Sequence, residues 1–157
     1  MRIIVYFAYL GDGATDYETF MGRLFYVEKQ ISWLYSCIDH NFKVVVVATC
    51  PDIYRDKVMD VINSYSFELF DSLNSTNNYE YHGLFCLKEI SKNLNQDDFI
   101  FYCHSKGVIN RSFVAESIFK MHTYLLLRDE IFKNLPSNIK KIGLFPSKYG
   151  WIWHNFF

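Results

Sequence analysis

Apolar residues are distributed along this chain in two ways: short unbroken runs, and recurrences every three or four positions. The runs over residues 3–9, 43–49 and 99–103 lack apolar–polar alternation, which predicts strands buried on both faces and lying next to one another in a parallel sheet. Residues 67–70 predict a short third strand and 141–145 a last one. Phe20, Leu24, Val27, Ile31, Leu34 and Ile38 form one broad apolar face, predicting a helix over 17–37 with Thr15 or Asp16 as its cap. Pro51 and Asp52 suit the start of a helix that runs to about residue 65. Leu84, Leu87, Ile90 and Leu94 predict another helix just after residue 79. Glu80, three residues after Asn77, fits a capping box there. A long apolar helix is predicted over 113–134, closed by Pro136, and 71–78 reads as a polar Ser- and Asn-rich loop. Strands alternating with crossover helices predict an α/β fold, with an open, mostly parallel sheet flanked by helices in a single domain over 1–157.

Composition narrows this picture. Half of the 157 residues are hydrophobic and 19% are aromatic, which suffices for one well-buried core. The net charge is -1 and no basic block occurs, so no nucleic-acid partner is expected. The longest apolar runs, such as 44–48, fall far short of the ~20 residues of a transmembrane helix. No cleavage-site pattern follows residues 1–10, which are needed as a strand. Cys37, Cys50, Cys86 and Cys103 are scattered without C-x-x-C spacing, as in a reduced, cytoplasmic chain with free thiols.

Candidate chemistry gathers after the third apolar run. Phe99 to Cys103 stops abruptly at His104, Ser105, Lys106 and Gly107, placing an imidazole, a hydroxyl and an ammonium where the backbone turns. Ligands of open parallel sheets bind at the carboxyl ends of strands, and three donors there suit an anion, a phosphate above all. An ordinary polar turn after a strand accounts for the same residues. Thr49, at the end of another predicted strand, is a weaker candidate of the same kind. Gly11 and Gly13 follow the first strand, but G-x-G-x-x-G requires glycine where Asp16 stands. An aspartate there would repel a pyrophosphate, so the loop reads as a turn before a helix. Cys103 with His104 lacks the spaced partners of a metal or nucleophile site. His40 and His122 read as loop and helix histidines.

Three stretches together resemble a family of glycosyltransferase-like proteins. They are Tyr79, Glu80, Tyr81, His82, Gly83 and Leu84; then Phe101 through Gly107; then Trp153, His154, Asn155, Phe156 and Phe157. The family carries E-x-x-x-L, then Y-x-H-[ST]-K-G in place of D-x-D, then an H-x-x-G-N-F-like stretch. The resemblance implies a GT-A, Rossmann-like nucleotide-sugar-binding fold and transfer of a sugar from a nucleoside diphosphate donor to a glycan or other acceptor. Tyr9, Thr49, His104, Ser105, Lys106, Gly107, His154 and Asn155 would then line the nucleotide-sugar site. Glu80 and Asp12 are the carboxylates from which a catalytic base would come.

The chain departs from the family in two places. His154 is followed at once by Asn155 with no intervening glycine, and the sequence ends where relatives continue into an acceptor-binding region. GT-A enzymes hold a manganese or magnesium ion with D-x-D; the ammonium of Lys106 would repel one, so no metal is expected to be required. Mn or Mg is the alternative that the GT-A architecture itself leaves open. Asp97 and Asp98 precede the strand at its other end, about 15 Å or more away at ~3.3 Å per residue. A rival reading is a non-catalytic glycan-binding or interaction module, in which Trp151 and Trp153 stack on a sugar or a partner; core filling also accounts for both rings.

Overall fold

The computed structural model describes residues 1–38, 42–70, 73–76, 78–95, 97–105, 113–126, 128 and 134. Among the described residues, four parallel strands form one sheet: β1 (Arg2–Tyr9), β2 (Phe42–Thr49), β3 (Glu68–Leu69) and β4 (Phe99–His104). Their order is β3-β2-β1-β4. The predicted neighbours are neighbours, with β1 in the middle: Ile4 lies between Val44 and Phe101, and Val5 between Val45 and Tyr102. Among the described residues, four helices cover the sheet: α1 (Tyr17–Cys37), α2 (Arg55–Ser64) after a 3-10 turn at Asp52–Tyr54, α3 (Tyr81–Ser91) and α4 (Phe113–Leu126). The fold is therefore α/β, an open parallel sheet flanked by helices.

The unbroken apolar runs are explained by burial on both sides. Ile4, Tyr6, Ala8, Val44, Val46, Phe101 and Cys103 pack with Phe20, Leu24, Val27, Ile31 and Leu34 of α1, Val58 and Ile62 of α2 and Phe119 of α4. Ile3, Val5, Phe7, Val45, Val47 and Tyr102 pack on the other face with Cys86 of α3. In the first layer the Tyr6 hydroxyl donates to Gln30 Oε1 at 2.7 Å, which satisfies that buried phenol. Trp33 Nε1 donates to Thr123 Oγ1 at 2.8 Å and ties α1 to α4.

Several expectations are corrected. Of the two caps proposed for α1, Asp16 is the one used, accepting from the Thr19 N–H at 2.9 Å. In α3 the buried residues are Gly83 and Cys86, whereas Leu84 is exposed. Glycine lets the helix approach so closely that the facing stripe shifts away from Leu84, leaving Leu87, Ile90 and Leu94 at its flank. The third strand is shorter than 67–70, although the Phe70 N–H still donates to Val46 O at 2.9 Å. Residues 73–76 do not form a detached loop: Leu73 is buried and Asn74 bridges to Thr49, extending the sheet beyond β3. The last described helix is Phe113–Leu126, shorter than 113–134. His40, the strand expected at 141–145 and the aromatic stretch around Trp151 and Trp153 lie outside the described residues.

Candidate functional site

Three neighbouring strands end together at Tyr9, Thr49 and His104. Tyr9 and Thr49 are register partners, and His104 pairs with Phe7. The chain builds β2 and then β3 on one side of β1 and returns to place β4 on the other. Strand order thus reverses at β1, and the carboxyl ends beside such a reversal are where open α/β sheets take ligands.

Side chains two apart on a strand share a face, so Tyr102 and His104 both look towards α3. Their rings lie 6.5 Å apart and 22° from parallel. Glu80, immediately before α3, reaches both. The Tyr102 hydroxyl donates to Oε2 at 3.4 Å, and His104 Nδ1 lies 3.8 Å from Oε1. The second distance is ion-pair reach and too long for a hydrogen bond. Burial, and after it the Glu80 carboxylate, push the Tyr102 phenol up, so it keeps its proton and serves as donor. The capping box expected at Glu80 is not formed. The helix begins one residue later, Glu80 occupies the cap position, and its side chain makes no cap bond. Asn77 lies outside the described residues.

Gly83 sets this geometry. A Cβ there would stand 2.7 Å from the Tyr102 hydroxyl and 3.1 Å from Phe7 Cβ. Only glycine lets the start of α3 sit close enough for Glu80 to reach Tyr102 and His104.

The remaining expected site residues divide. Thr49 is 1% exposed, and its buried Oγ1 has no hydrogen-bond partner. Ser105 is also buried, but its Oγ accepts from the Tyr9 N–H at 2.9 Å while its own N–H donates to Phe7 O at 2.8 Å. It prolongs the β1–β4 ladder, with its hydroxyl proton left to donate. Asp12 is held by its own turn, its Oδ1 accepting from the Ala14 N–H at 3.0 Å. Gly11 opens that turn at φ +124°, a conformation natural to glycine. Of the two carboxylates, Glu80 is the one the structure brings to His104. Lys106, Gly107, His154 and Asn155 lie outside the described residues.

Three residues were missed by the sequence reading. Tyr102 was within reach, because the two-residue spacing to His104 puts both on one face. His82, within the Tyr79–Leu84 stretch but assigned no role there, has a buried Nε2 without a hydrogen-bond partner. Arg23, on α1, holds its guanidinium 5.1 Å from the centre of the Tyr9 ring, a contact across the fold with no local signature.

Other features stand apart from this edge. A hollow of about 400 Å³ lined by Tyr35, Lys43, Tyr65 and Glu68 borders the amino ends of the strands. Another, about 550 Å³, is lined by Trp33 and Glu116 between α1 and α4. Cys103 is buried in the layer facing α1, opposite His104, and burial pushes its thiol well up, which suits no nucleophile. All four cysteines are free thiols. Among the described residues, no three His, Cys, Asp or Glu side chains gather as a metal site, and no helix is long and apolar enough to cross a membrane. Compared with known proteins, the chain matches no family model and no curated protein.

Proposed function

We propose that this chain is a glycosyltransferase-like domain with the nucleotide-sugar-binding fold its motifs resemble. A nucleoside diphosphate sugar lies across the carboxyl ends of β1, β2 and β4, and the sugar passes to a glycan or other acceptor. The observation that carries the reading is the meeting of Glu80, Tyr102 and His104 beside Tyr9 and Thr49, where strand order reverses. Departure of the nucleotide develops negative charge on the β-phosphate, and preorganised cations and donors lower the barrier to such a step. His104 is the described residue placed to do so. Glu80 places its carboxylate 3.8 Å from Nδ1, within ion-pair reach, which orients the ring. Lys106, next but one in sequence, and His154 with Asn155 complete the proposed set. The ammonium of Lys106 takes the part that a divalent ion plays in D-x-D enzymes, so binding is proposed to need no Mn or Mg.

Calorimetric titration tests this reading. A nucleoside diphosphate should bind in the presence of EDTA, and Lys106→Ala should weaken it by about 1.5–3 kcal/mol while leaving the bare nucleoside nearly unaffected. Affinity that appears only with manganese would overturn the metal-independent part. Absence of nucleotide binding would overturn the whole.

One observation favours the second reading, a non-catalytic glycan-binding module. Tyr79, Tyr81 and Phe85 are exposed beside Glu80, with Tyr81 and Phe85 stacked 6.2 Å apart. Aromatic faces of this kind suit pyranose rings. Such a module would be stabilised against heat by glycan alone, and a transferase by the nucleotide.

A further inference from the structure

Arg23 is half-buried on α1, and among the described residues its one specific contact is the Tyr9 ring, 5.1 Å from the guanidinium carbon. Among the described residues it donates no hydrogen bond and joins no ion pair. Other cations near the sheet do: Arg55 bonds Asp52 and Leu73 O, and Lys43 pairs with Glu68. A ring contact uses the face of a guanidinium and leaves its fork of N–H donors for a second partner. The partner matching the geometry of that fork is a carboxylate or phosphate held by two oxygens.

An independent observation lies on the adjoining strand. Thr49, the register partner of Tyr9, is 1% exposed and its Oγ1 is without a hydrogen-bond partner. Buried hydroxyls in folded proteins are nearly always satisfied, so one left orphaned at a strand end is open to a water or a ligand atom. Tyr9 itself ends β1 at the edge where strand order reverses.

We propose that Arg23, held over Tyr9, together with Thr49 forms an oxyanion-binding subsite that takes the phosphates of a diphosphate ligand. The assignment rests on the nucleotide-sugar reading for the identity of that ligand, and on Arg23, Tyr9 and Thr49 alone for the anion. Tyr9 acts as a positioning residue for the guanidinium, while Arg23 and Thr49 touch the phosphate oxygens.

The test uses inorganic pyrophosphate and, separately, UDP, GDP and ADP, titrated into the full chain by calorimetry. Wild type should bind pyrophosphate. Arg23→Ala should lose about tenfold or more in affinity, the scale of a charge-assisted contact. Arg23→Lys should recover part of it, because the charge stays while the two-oxygen fork is lost, and Thr49→Val should weaken binding without lowering the melting temperature. In wild type the Arg23 Nε–Hε resonance should shift on adding pyrophosphate, a readout that needs no variant to fold. Pyrophosphate bound through Arg23, with no nucleotide bound more tightly than pyrophosphate, supports this subsite and counts against the nucleotide-sugar reading. A nucleotide bound equally well by wild type and Arg23→Ala, with an unmoved Arg23 resonance, overturns the subsite and leaves that reading standing. No binding of pyrophosphate or any nucleotide overturns both.

Discussion

Glu80 carries two contacts that a single substitution separates. Glutamine in its place keeps an oxygen for the Tyr102 hydroxyl but removes the charge facing His104 Nδ1. Glu80→Gln should therefore fold with nearly the wild-type denaturation midpoint. On the proposed transferase reading, its rate of nucleoside diphosphate release from a donor should fall about a hundredfold, because His104 loses the charge that orients it. Glu80→Gln turning over as fast as wild type would reduce Glu80 to a structural contact. The phenol of Tyr102 keeps its proton because burial and the neighbouring carboxylate both oppose its loss. The hydroxyl thus serves as the donor to Glu80. At this scale the sequence offered residue types at strand ends; whether Glu80 or Asp12 would meet His104 depended on which carboxylate its own loop had already engaged.

Among the elements, α3 decides how the site closes. Alanine at position 83 would gain about 1 kcal/mol in helix propensity. Its Cβ would also press on the Tyr102 hydroxyl and on Phe7, in contacts of 2.7 and 3.1 Å. Tyr102 is fully buried and has nowhere to swing. Overpacking of this kind costs about 1–3 kcal/mol, so the balance is unfavourable. Gly83→Ala should lower the urea midpoint and displace the Tyr102 and His104 resonances together. A midpoint at or above wild type would mean that α3 shifts outward freely. The helical period predicted α3 correctly as an element, yet its buried face was misread, because glycine contributes nothing to a hydrophobic pattern while fixing the distance of approach.

For the molecule as a whole, acid is the revealing variable. The Thr19 backbone N–H, and then its hydroxyl, hold Asp16 below the usual carboxylate range, and the Met1 ammonium followed by the Asn95 N–H does the same for Asp98. A depressed folded pKa contributes stability that is fully present above the unfolded value near ~4 and is lost as pH falls through the folded value. Urea midpoints should hold steady from pH 7 towards ~4 and drop below it. Asp16→Asn with Asp98→Asn should flatten that drop, and an unchanged acid limb in the double variant would assign the loss to other carboxylates. Asp98 also shows why no carboxylate from that end serves the site: the amino end of β4 is joined to the start of β1, a strand's length from His104.

The positions of β1, β2 and β4, the burial of the sheet on both faces, the span of α1 and the α/β class were determined by the sequence alone. Those properties come from local periodicity and from the area each run must remove from water, and both act within one element. The partners of the site were decided only by the tertiary structure. Glu80 meets Tyr102 and His104, Arg23 meets Tyr9, and Asn74 returns to Thr49 because strand order and register carry distant segments to a common edge. Strand order itself has no local code. It follows from which pairing of several apolar strands, under the constraint of right-handed crossovers, buries both faces at once.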